Sequence, residues 1–470
     1  MNGNIAQHLY FVGAGGIGMA ALVRYYLSRG AQVAGYDLTP SDLTHALERE
    51  GAQLTYRDDT ADIPDGFRDP AHTTVVYTPA VGDDNRILSY FRQRGFNVVK
   101  RAAMLGQITR HSRAICVAGS HGKTTVSSMV AHTLHTSDVK CNAFLGGILR
   151  NYDSNLILDD CSPWSVIEAD EYDRSFHQLN PYIAVVTSTD PDHLDIYGDE
   201  EGYLEGFAHF TSLITTGGTL ILHTGLKLKP RTTEGVNTLT YSGSDEGDWH
   251  TANIRYDDGR LWFDIVHPDG VIRDVELGVP IAINIDNAVA ATAAAHLAGA
   301  SDDNIRHALR TFLGAKRRFE VWLRPEDTAC GTVLIDDYAH SPHEVEASIT
   351  SVRKLYPHRQ LTVVFQPHLY TRTRDFAPEF AQALSHADRV VLLEIYPARE
   401  KPIPGVTSQI IYDRLTSHER LICPRKDLLN LIKNSNFEIL MTLGAANLDV
   451  LLPDIKEILT AKTVGKQDPE

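Results

Sequence analysis

The 470-residue chain has no apolar run approaching the ~20 residues that span a bilayer, and its first residues, MNGNIAQHLYFVGAGG, lack a basic segment followed by an apolar core. A cytoplasmic protein with no membrane partner is expected. Cysteine is scarce: the five residues, at 116, 141, 161, 330 and 423, form an odd set with no Cys-x-x-Cys pair. A reducing compartment fits that pattern better than a disulfide framework, and all five are expected to be buried thiols. An excess of basic charge is also missing. Lys and Arg number 44 against 60 Asp and Glu, a net charge of −16, which argues against a surface built for nucleic acid or anionic lipid. Any anionic ligand must be held by local groups.

What is present is an ordinary globular composition, 43% hydrophobic with 34 Gly and 21 Pro. At ~150 residues per domain this length suggests about three domains. Strand, glycine turn and helix follow one another from Leu9 to Arg29, with Gly30 suited to the helix end, and short β-like runs follow at 32–36, 74–77 and 97–99. A second block opens at Ala114-Ile115-Cys116-Val117, carries strands at 164–169 and 183–187, and changes at 218–278 to short β segments that suggest an antiparallel appendage. A third block, from about Gly314, alternates strands at 332–335, 361–365, 390–393 and 438–441 with helical stretches. The expected fold is therefore α/β in three domains, residues 1–106, 107–313 with an antiparallel appendage, and 314–470. The polar tail after Ala461 shows no periodicity and is expected to lack regular structure. Twenty-one histidines raise the question of metal, but most stand alone in mixed surroundings, where a surface or hydrogen-bonded role is the ordinary one.

The sharpest chemical signal is Gly119-Ser120-His121-Gly122-Lys123-Thr124-Thr125 between a strand and a helix. Backbone N–H groups, an ammonium and a hydroxyl converge there on a helix N-terminus, which suits a polyphosphate. Lys123 is placed to contact β- and γ-phosphate oxygens and Thr124 to ligate Mg²⁺. Val117 stands where the commoner loop has its first Gly. Hard oxygen donors for a cation come from two acidic strand ends, Glu168-Ala169-Asp170-Glu171 and Asp190-Pro191-Asp192-His193-Leu194-Asp195, of which Glu168 and His193 are the candidate ligands.

A second glycine turn, Gly13-Ala14-Gly15-Gly16-Ile17-Gly18, has Asp37 at the end of the next strand. Its form suits a dinucleotide, yet it reports only a pyrophosphate at a helix N-terminus, and UDP-sugars carry one too. His72, Thr78 and Arg101 lie near later strand ends, where sugar or uracil contacts and ordinary surface roles are both open.

Taken together, GSHGKTT, Glu168-Ala169-Asp170-Glu171, Asp192-His193-Leu194-Asp195, Asp336-Asp337-Tyr338-Ala339-His340 and Phe365-Gln366-Pro367-His368-Leu369-Tyr370-Thr371-Arg372 resemble the Mur ligase family. With GAGGIGM and Tyr396-Pro397-Ala398, the likeness is greatest to the member that joins L-alanine to UDP-N-acetylmuramate in peptidoglycan precursor synthesis. The resemblance implies a Rossmann-like N-terminal domain for the UDP-sugar, a phosphate-loop ATPase-like central domain for ATP, and a Rossmann-like C-terminal domain that closes on both and admits the amino acid. It implies ATP with Mg²⁺, or Mn²⁺ at a histidine-bearing second site, and UDP-N-acetylmuramate and L-alanine as small-molecule partners of a monomer or homodimer. Residue by residue, it places ATP on Gly119 to Thr125, Asn287, Arg318 and Asp336, and metal on Thr124, Glu168 and His193. The sugar nucleotide falls on Gly13, Gly15, Gly16, Ile17, Gly18 and Asp37, and the alanine and reacting carboxylate on Tyr338, His340 and Arg372. Lys123, His193, His340 and Arg372 are then the candidate catalytic groups. Two positions depart from the family pattern: Ser341 replaces a second His, and Leu369 an Arg whose role falls to Arg372 or Arg374. Two other readings stand beside this one: a sister ligase that attaches a tripeptide to the same sugar nucleotide, and an NAD(P)-dependent oxidoreductase built on the first turn.

Overall fold

The computed structural model describes residues 8–398, 400–445 and 447–462, so the expectations for the leader and for the tail concern residues 1–7 and 463–470 outside that range. Each sequence block builds one main sheet. Strands such as Arg113–Ala118 and Leu361–Phe365 are buried along almost their whole length, as in parallel sheets covered on both faces.

The first sheet is fully parallel, in the order Gln53–Thr55, Gln32–Tyr36, His8–Val12, Thr73–Tyr77, Asn97–Lys100. Its order reverses at His8–Val12, which leads into helix Ile17–Ser28; Gly30, at φ 81°, ends that helix in the left-handed conformation glycine tolerates. The helix also packs against the middle sheet: Tyr25 meets Phe144 with ring centroids 5.3 Å apart, and Asn155 Nδ2 donates to the Ile17 carbonyl at 2.8 Å.

The middle sheet has seven strands in the order Asn237–Tyr241, Thr219–His223, Pro181–Val186, Arg113–Ala118, Trp164–Glu168, Asn142–Leu149, Ser154–Ile157. The strand feeding the GSHGKTT turn lies between the two that end in acidic clusters, with Val117 opposite Glu168 and Ala118 opposite Val186. That order alone brings both clusters to the turn. One expectation is corrected here: Thr219–His223 is not part of an appendage but extends the parallel sheet, and Asn237–Tyr241 pairs parallel to it. The separate sheet is limited to His250–Asp257, Arg260–His267 and Gly270–Glu276, with Leu277 N–H donating to the Leu261 carbonyl in antiparallel register.

Residues 1–252, 265–272 and 286–309 form one compact unit; 253–264, 273–285 and 310–470 form a second. In the second, the sheet order is Glu320–Leu323, Val333–Asp337, Ile439–Leu443, Leu361–Phe365, Arg389–Leu392, Glu419–Ile422, parallel except for its first strand. Three cysteines are buried as expected, but Cys161 and Cys330 are exposed. Cys161 lies in a polar bend where its N–H donates to Asp159 Oδ1 at 2.9 Å, and Cys330 in the turn before Gly331; neither belongs to an apolar run.

Candidate active site

The GSHGKTT turn is shaped by two glycines that no other residue replaces easily. Gly119 has φ 144° and a Cβ there would stand 2.0 Å from Thr187 Oγ1; Gly122 has φ 82° and a Cβ would stand 2.9 Å from Asn287 Oδ1. Asn287, from helix Ile283–Leu297, is thereby placed beside the turn. Gly122 caps helix Lys123–Thr136 with no side-chain hydrogen bond, so the helix end faces the turn with its dipole uncovered by a capping side chain. The turn is tied to the next strand end: Ser120 N–H donates to the Ser188 carbonyl at 3.2 Å, His121 N–H to Ser188 Oγ at 2.7 Å, and Ser120 Oγ contacts the Asp190 carbonyl at 2.6 Å. Thr125 continues the helix in its first turn.

Lys123 Nζ donates to the Gly119 carbonyl at 2.6 Å and to Glu171 Oε1 at 2.8 Å. Glu171, nearly inaccessible, thus holds the ammonium inside the turn; its position in the acidic cluster is legible in sequence, its partnership with Lys123 is not. His193 stands beside the same pair, its Nε2 4.0 Å from Glu171 Oε1 and 3.7 Å from Asp192 Oδ2, with the Tyr172 ring against it at 5.1 Å. Thr124 and Glu168 form a separate pair. Thr124 Oγ1 donates to Glu168 Oε1 at 3.1 Å, and Gly146 N–H to Glu168 Oε2 at 3.0 Å. Burial pushes the Glu168 carboxyl above the usual range, against the pull of those two hydrogen bonds and of Lys123. Among the described residues no hydrogen bond or ion pair joins His193 to Glu168, so the three candidate metal ligands form two groups.

At the first turn, Gly13 (φ 88°) and Ala14 donate backbone N–H groups to the Tyr36 carbonyl, and Gly15 N–H donates to Asp37 Oδ2 at 2.6 Å. Asp37 therefore shapes the turn itself. Gly16 starts the helix with no side-chain cap, and Gly18 leaves room for a cation: a Cβ there would stand 2.6 Å from Arg101 Nη1. Arg101, at the start of helix Arg101–Arg110, is itself 3.8 Å from Asp170. A cleft of about 260 Å³ runs from Gly16 and Gly18, past Thr78 and Arg101, to Gly146, Glu168 and Asp170. It runs from the first turn to Glu168, the carboxylate hydrogen-bonded to Thr124 of the second. Of the three polar residues left open by sequence, Thr78 and Arg101 line this cleft, whereas His72 is exposed and pairs with Asp69 at 2.7 Å.

In the second unit, Asp336 is buried, accepts from Thr442 Oγ1 at 2.5 Å and has Arg317 Nε 3.8 Å away; burial pushes its carboxyl up to about 7. Arg317 also donates to the Gly444 carbonyl at 2.7 Å and lies over the Tyr338 ring at 4.8 Å. Arg318, expected with Asp336 near the nucleotide, is exposed, and it is the half-buried Arg317 that lies beside Asp336. His340 Nδ1 is 3.0 Å from the Tyr338 carbonyl, and its ring faces those of Tyr338 and His368. Arg372 carries a buried Nη1 with no hydrogen-bond partner, while Arg374 is held by Asp375 at 2.7 Å. Arg372 thus keeps a donor that Arg374 spends on its neighbour. Both departures from the family pattern acquire structural roles. Ser341 caps helix Pro342–Leu355 in a reciprocal box with Glu344, whose carboxylate also accepts from His340 N–H at 3.0 Å. Leu369 sits at φ 71° and its N–H donates to the Tyr396 carbonyl at 3.0 Å.

Comparison with known proteins agrees with this geometry block by block. The Mur ligase family, catalytic domain, matches residues 8–113, the Mur ligase middle domain 117–295, and the Mur ligase, glutamate ligase domain 317–436. A UDP-N-acetylmuramate--L-alanine ligase of Parabacteroides distasonis is 53% identical over 98% of both chains, and one of Phocaeicola vulgatus 52% identical over 98% of this chain and all of its own. This chain belongs to the Mur ligase family. Among solved structures, the UDP-N-acetylmuramate-alanine ligase of Thermotoga maritima aligns with a TM-score of 0.75 at 25% identity, covering 96% of this chain and 98% of that one. A murein peptide ligase from Psychrobacter arcticus, at TM-score 0.59 and 20% identity over 97% of this chain and all of its own, shares the fold. The family's three-domain α/β architecture accounts for the three sheets.

Proposed function

We propose that this Mur ligase joins L-alanine to the lactyl carboxylate of UDP-N-acetylmuramate at the expense of ATP, releasing ADP and phosphate. The curated relatives at about half identity over nearly the whole chain carry that activity in their names, and this chain shares it. The observation in the fold that supports it is the cleft connecting Gly16, Gly18 and Arg101 to Glu168, because it lets a sugar nucleotide held at one turn present its carboxylate to a triphosphate held at the other. The tripeptide reading is supported only by structures that share the fold at 20–23% identity. The nicotinamide reading leaves the second turn and its acids without a task.

In this reading residues 1–106 hold UDP-N-acetylmuramate, 107–313 ATP, and 314–470 alanine. The pyrophosphate rests on the N-terminus of helix Ile17–Ser28 with Arg101 beside it. Gly119 to Thr125 hold the triphosphate, and Lys123 turns from Glu171 toward its γ-phosphate. Asn287 contacts the nucleotide; Arg318 and Asp336 approach it from the C-terminal domain.

ATP-dependent ligation needs a divalent cation, and the donors fit one: two hard oxygens, Thr124 Oγ1 and the buried Glu168 carboxylate, already converge at 3.1 Å. Bound there, Mg²⁺ would neutralise phosphate charge. His193 offers a nitrogen at a second position, where Mn²⁺ suits the donor set equally.

A carboxylate is a poor acyl donor because an oxide dianion would have to leave. Its oxygen attacks the γ-phosphorus, the bond to the β-phosphate oxygen breaks, and an acyl phosphate and ADP form while Lys123 balances the charge. Arg372 then orients alanine by its carboxylate, His340 takes the proton from the ammonium, and the free amine attacks the carbonyl carbon. Collapse of the tetrahedral intermediate expels phosphate, which carries off the second amine proton. Incubation with ATP, Mg²⁺ and UDP-N-acetylmuramate, followed by single amino acids or the tripeptide, tests the assignment. Phosphate release that depends on L-alanine supports it; release that depends on the tripeptide, or on neither, overturns it.

A further inference from the structure

Outside this cleft, three residues that sequence reasoning passed over as isolated come together in the middle domain. His267 ends strand Arg260–His267, Asp269 occupies the turn that follows, and His296 lies in the last turn of helix Ile283–Leu297. One ligand atom from each lies within 4.8 Å of the other two. His267 is more than nine-tenths buried, and its Nδ1 and that of His296 are buried without a hydrogen-bond partner, although an imidazole in such a place ordinarily has one. Asp302 reaches only to 4.0 Å from His296 Nδ1. The buried Trp249 ring stacks on His267 at 4.7 Å and 15° and meets His296 edge-on at 5.3 Å, which fixes both imidazoles in place.

We propose that His267, Asp269 and His296 bind one divalent transition-metal ion of the zinc class, pinning the hairpin turn to the end of the helix. Two imidazole nitrogens and one carboxylate oxygen are a borderline donor set that favours zinc-class ions over Mg²⁺, and a coordinating water completes four ligands. From the present spacing the donors need close by only roughly 0.7 Å to reach ordinary zinc distances. The C-terminal end of the helix adds a favourable dipole for a cation. The ion's role is structural, since it ties together two segments remote in sequence, and the proposal does not depend on the ligase assignment.

The full-length chain, stripped with a chelator, is titrated with Zn²⁺ in a large excess of Mg²⁺, which fills oxygen-rich donors. One equivalent of Zn²⁺ should bind by calorimetry and raise the melting temperature, and Ni²⁺ in place of Zn²⁺ should quench Trp249 fluorescence. Asp269→Asn, at an exposed turn where the fold is not at stake, should weaken Zn²⁺ binding at least about tenfold. The His267→Ala and His296→Ala pair should abolish binding, and Trp249→Phe should remove most of the quench. No Zn²⁺ uptake under Mg²⁺, or Asp269→Asn binding Zn²⁺ as tightly as the parent chain, overturns the proposal. Should the histidine variant fail to fold, Asp269→Asn decides alone.

Discussion

Two glycine turns, each between a parallel strand and a helix, sit in the same compact unit and solve different problems. The first contains no cation of its own: an acid, Asp37, takes the Gly15 N–H at 2.6 Å, and the positive charge arrives from another element, Arg101, over Gly18. The second carries its cation within the turn, Lys123, and borrows its acids, Glu171 and Glu168, from the neighbouring strand. In the proposed function the first turn is a shaped seat for a pyrophosphate that does not react. In the same reading the second holds its ammonium against a carboxylate until phosphoryl transfer calls on that charge.

If that difference is right, Lys123→Ala lowers turnover by at least ~10²-fold and leaves UDP-sugar affinity nearly unchanged. Steady-state kinetics beside sugar-nucleotide calorimetry checks it; near-normal turnover would break the comparison. Next in size, Arg101→Ala removes a charge-assisted contact worth ~1.5–3 kcal/mol, so KM for the sugar nucleotide rises about tenfold or more while KM for ATP stays put. Equal changes in both would mean that the two turns are not separate seats. Gly146→Ala places a Cβ within 2.5 Å of the Glu168 carboxylate and should raise the Mg²⁺ concentration needed for half-maximal rate, with no effect on sugar binding.

The second unit provides a control outside both turns. Asp336 has its carboxyl raised by burial from an ordinary value near 3.8 to about 7, so the folded state holds the proton longer than the unfolded chain. Its contribution favours folding most below pH 3.8 and is lost as pH rises toward 7. Asp336→Asn should therefore gain thermal stability relative to the parent as pH rises from 4 to 8, with sugar affinity unaltered; a pH-independent difference in melting temperature would contradict the cause assigned. The smallest effect is expected at Ser341→Ala, which removes a helix cap for ~1 kcal/mol in denaturant unfolding and does not touch either turn.

The three blocks and both turns were legible because each depends on local signals: apolar strand runs, glycine spacing and a helix start. Strand order was not, and it decides the site. Nothing local says that Arg113–Ala118 pairs with both acidic strands, or that Thr219–His223 joins the parallel sheet rather than an appendage. For the same reason Glu171 is visible in sequence only as part of an acidic run, and nothing local singles out Arg317 as the neighbour of Asp336. Pairings between remote elements, such as Lys123 with Glu171 or Arg317 with Asp336, are set by packing. The exposed Cys161 and Cys330 show the converse: scarcity suggested burial, but a bend set by Asp159 and the turn before Gly331 place them outside.

The claim that the cleft delivers a carboxylate from one turn to a phosphoryl group at the other is tested most directly by isotope tracing. UDP-N-acetylmuramate labelled with heavy oxygen in its lactyl carboxylate is converted with ATP and L-alanine, and the released phosphate is examined by mass spectrometry. One labelled oxygen in the phosphate is the predicted result; phosphate without label, its fourth oxygen taken from water, would contradict the account.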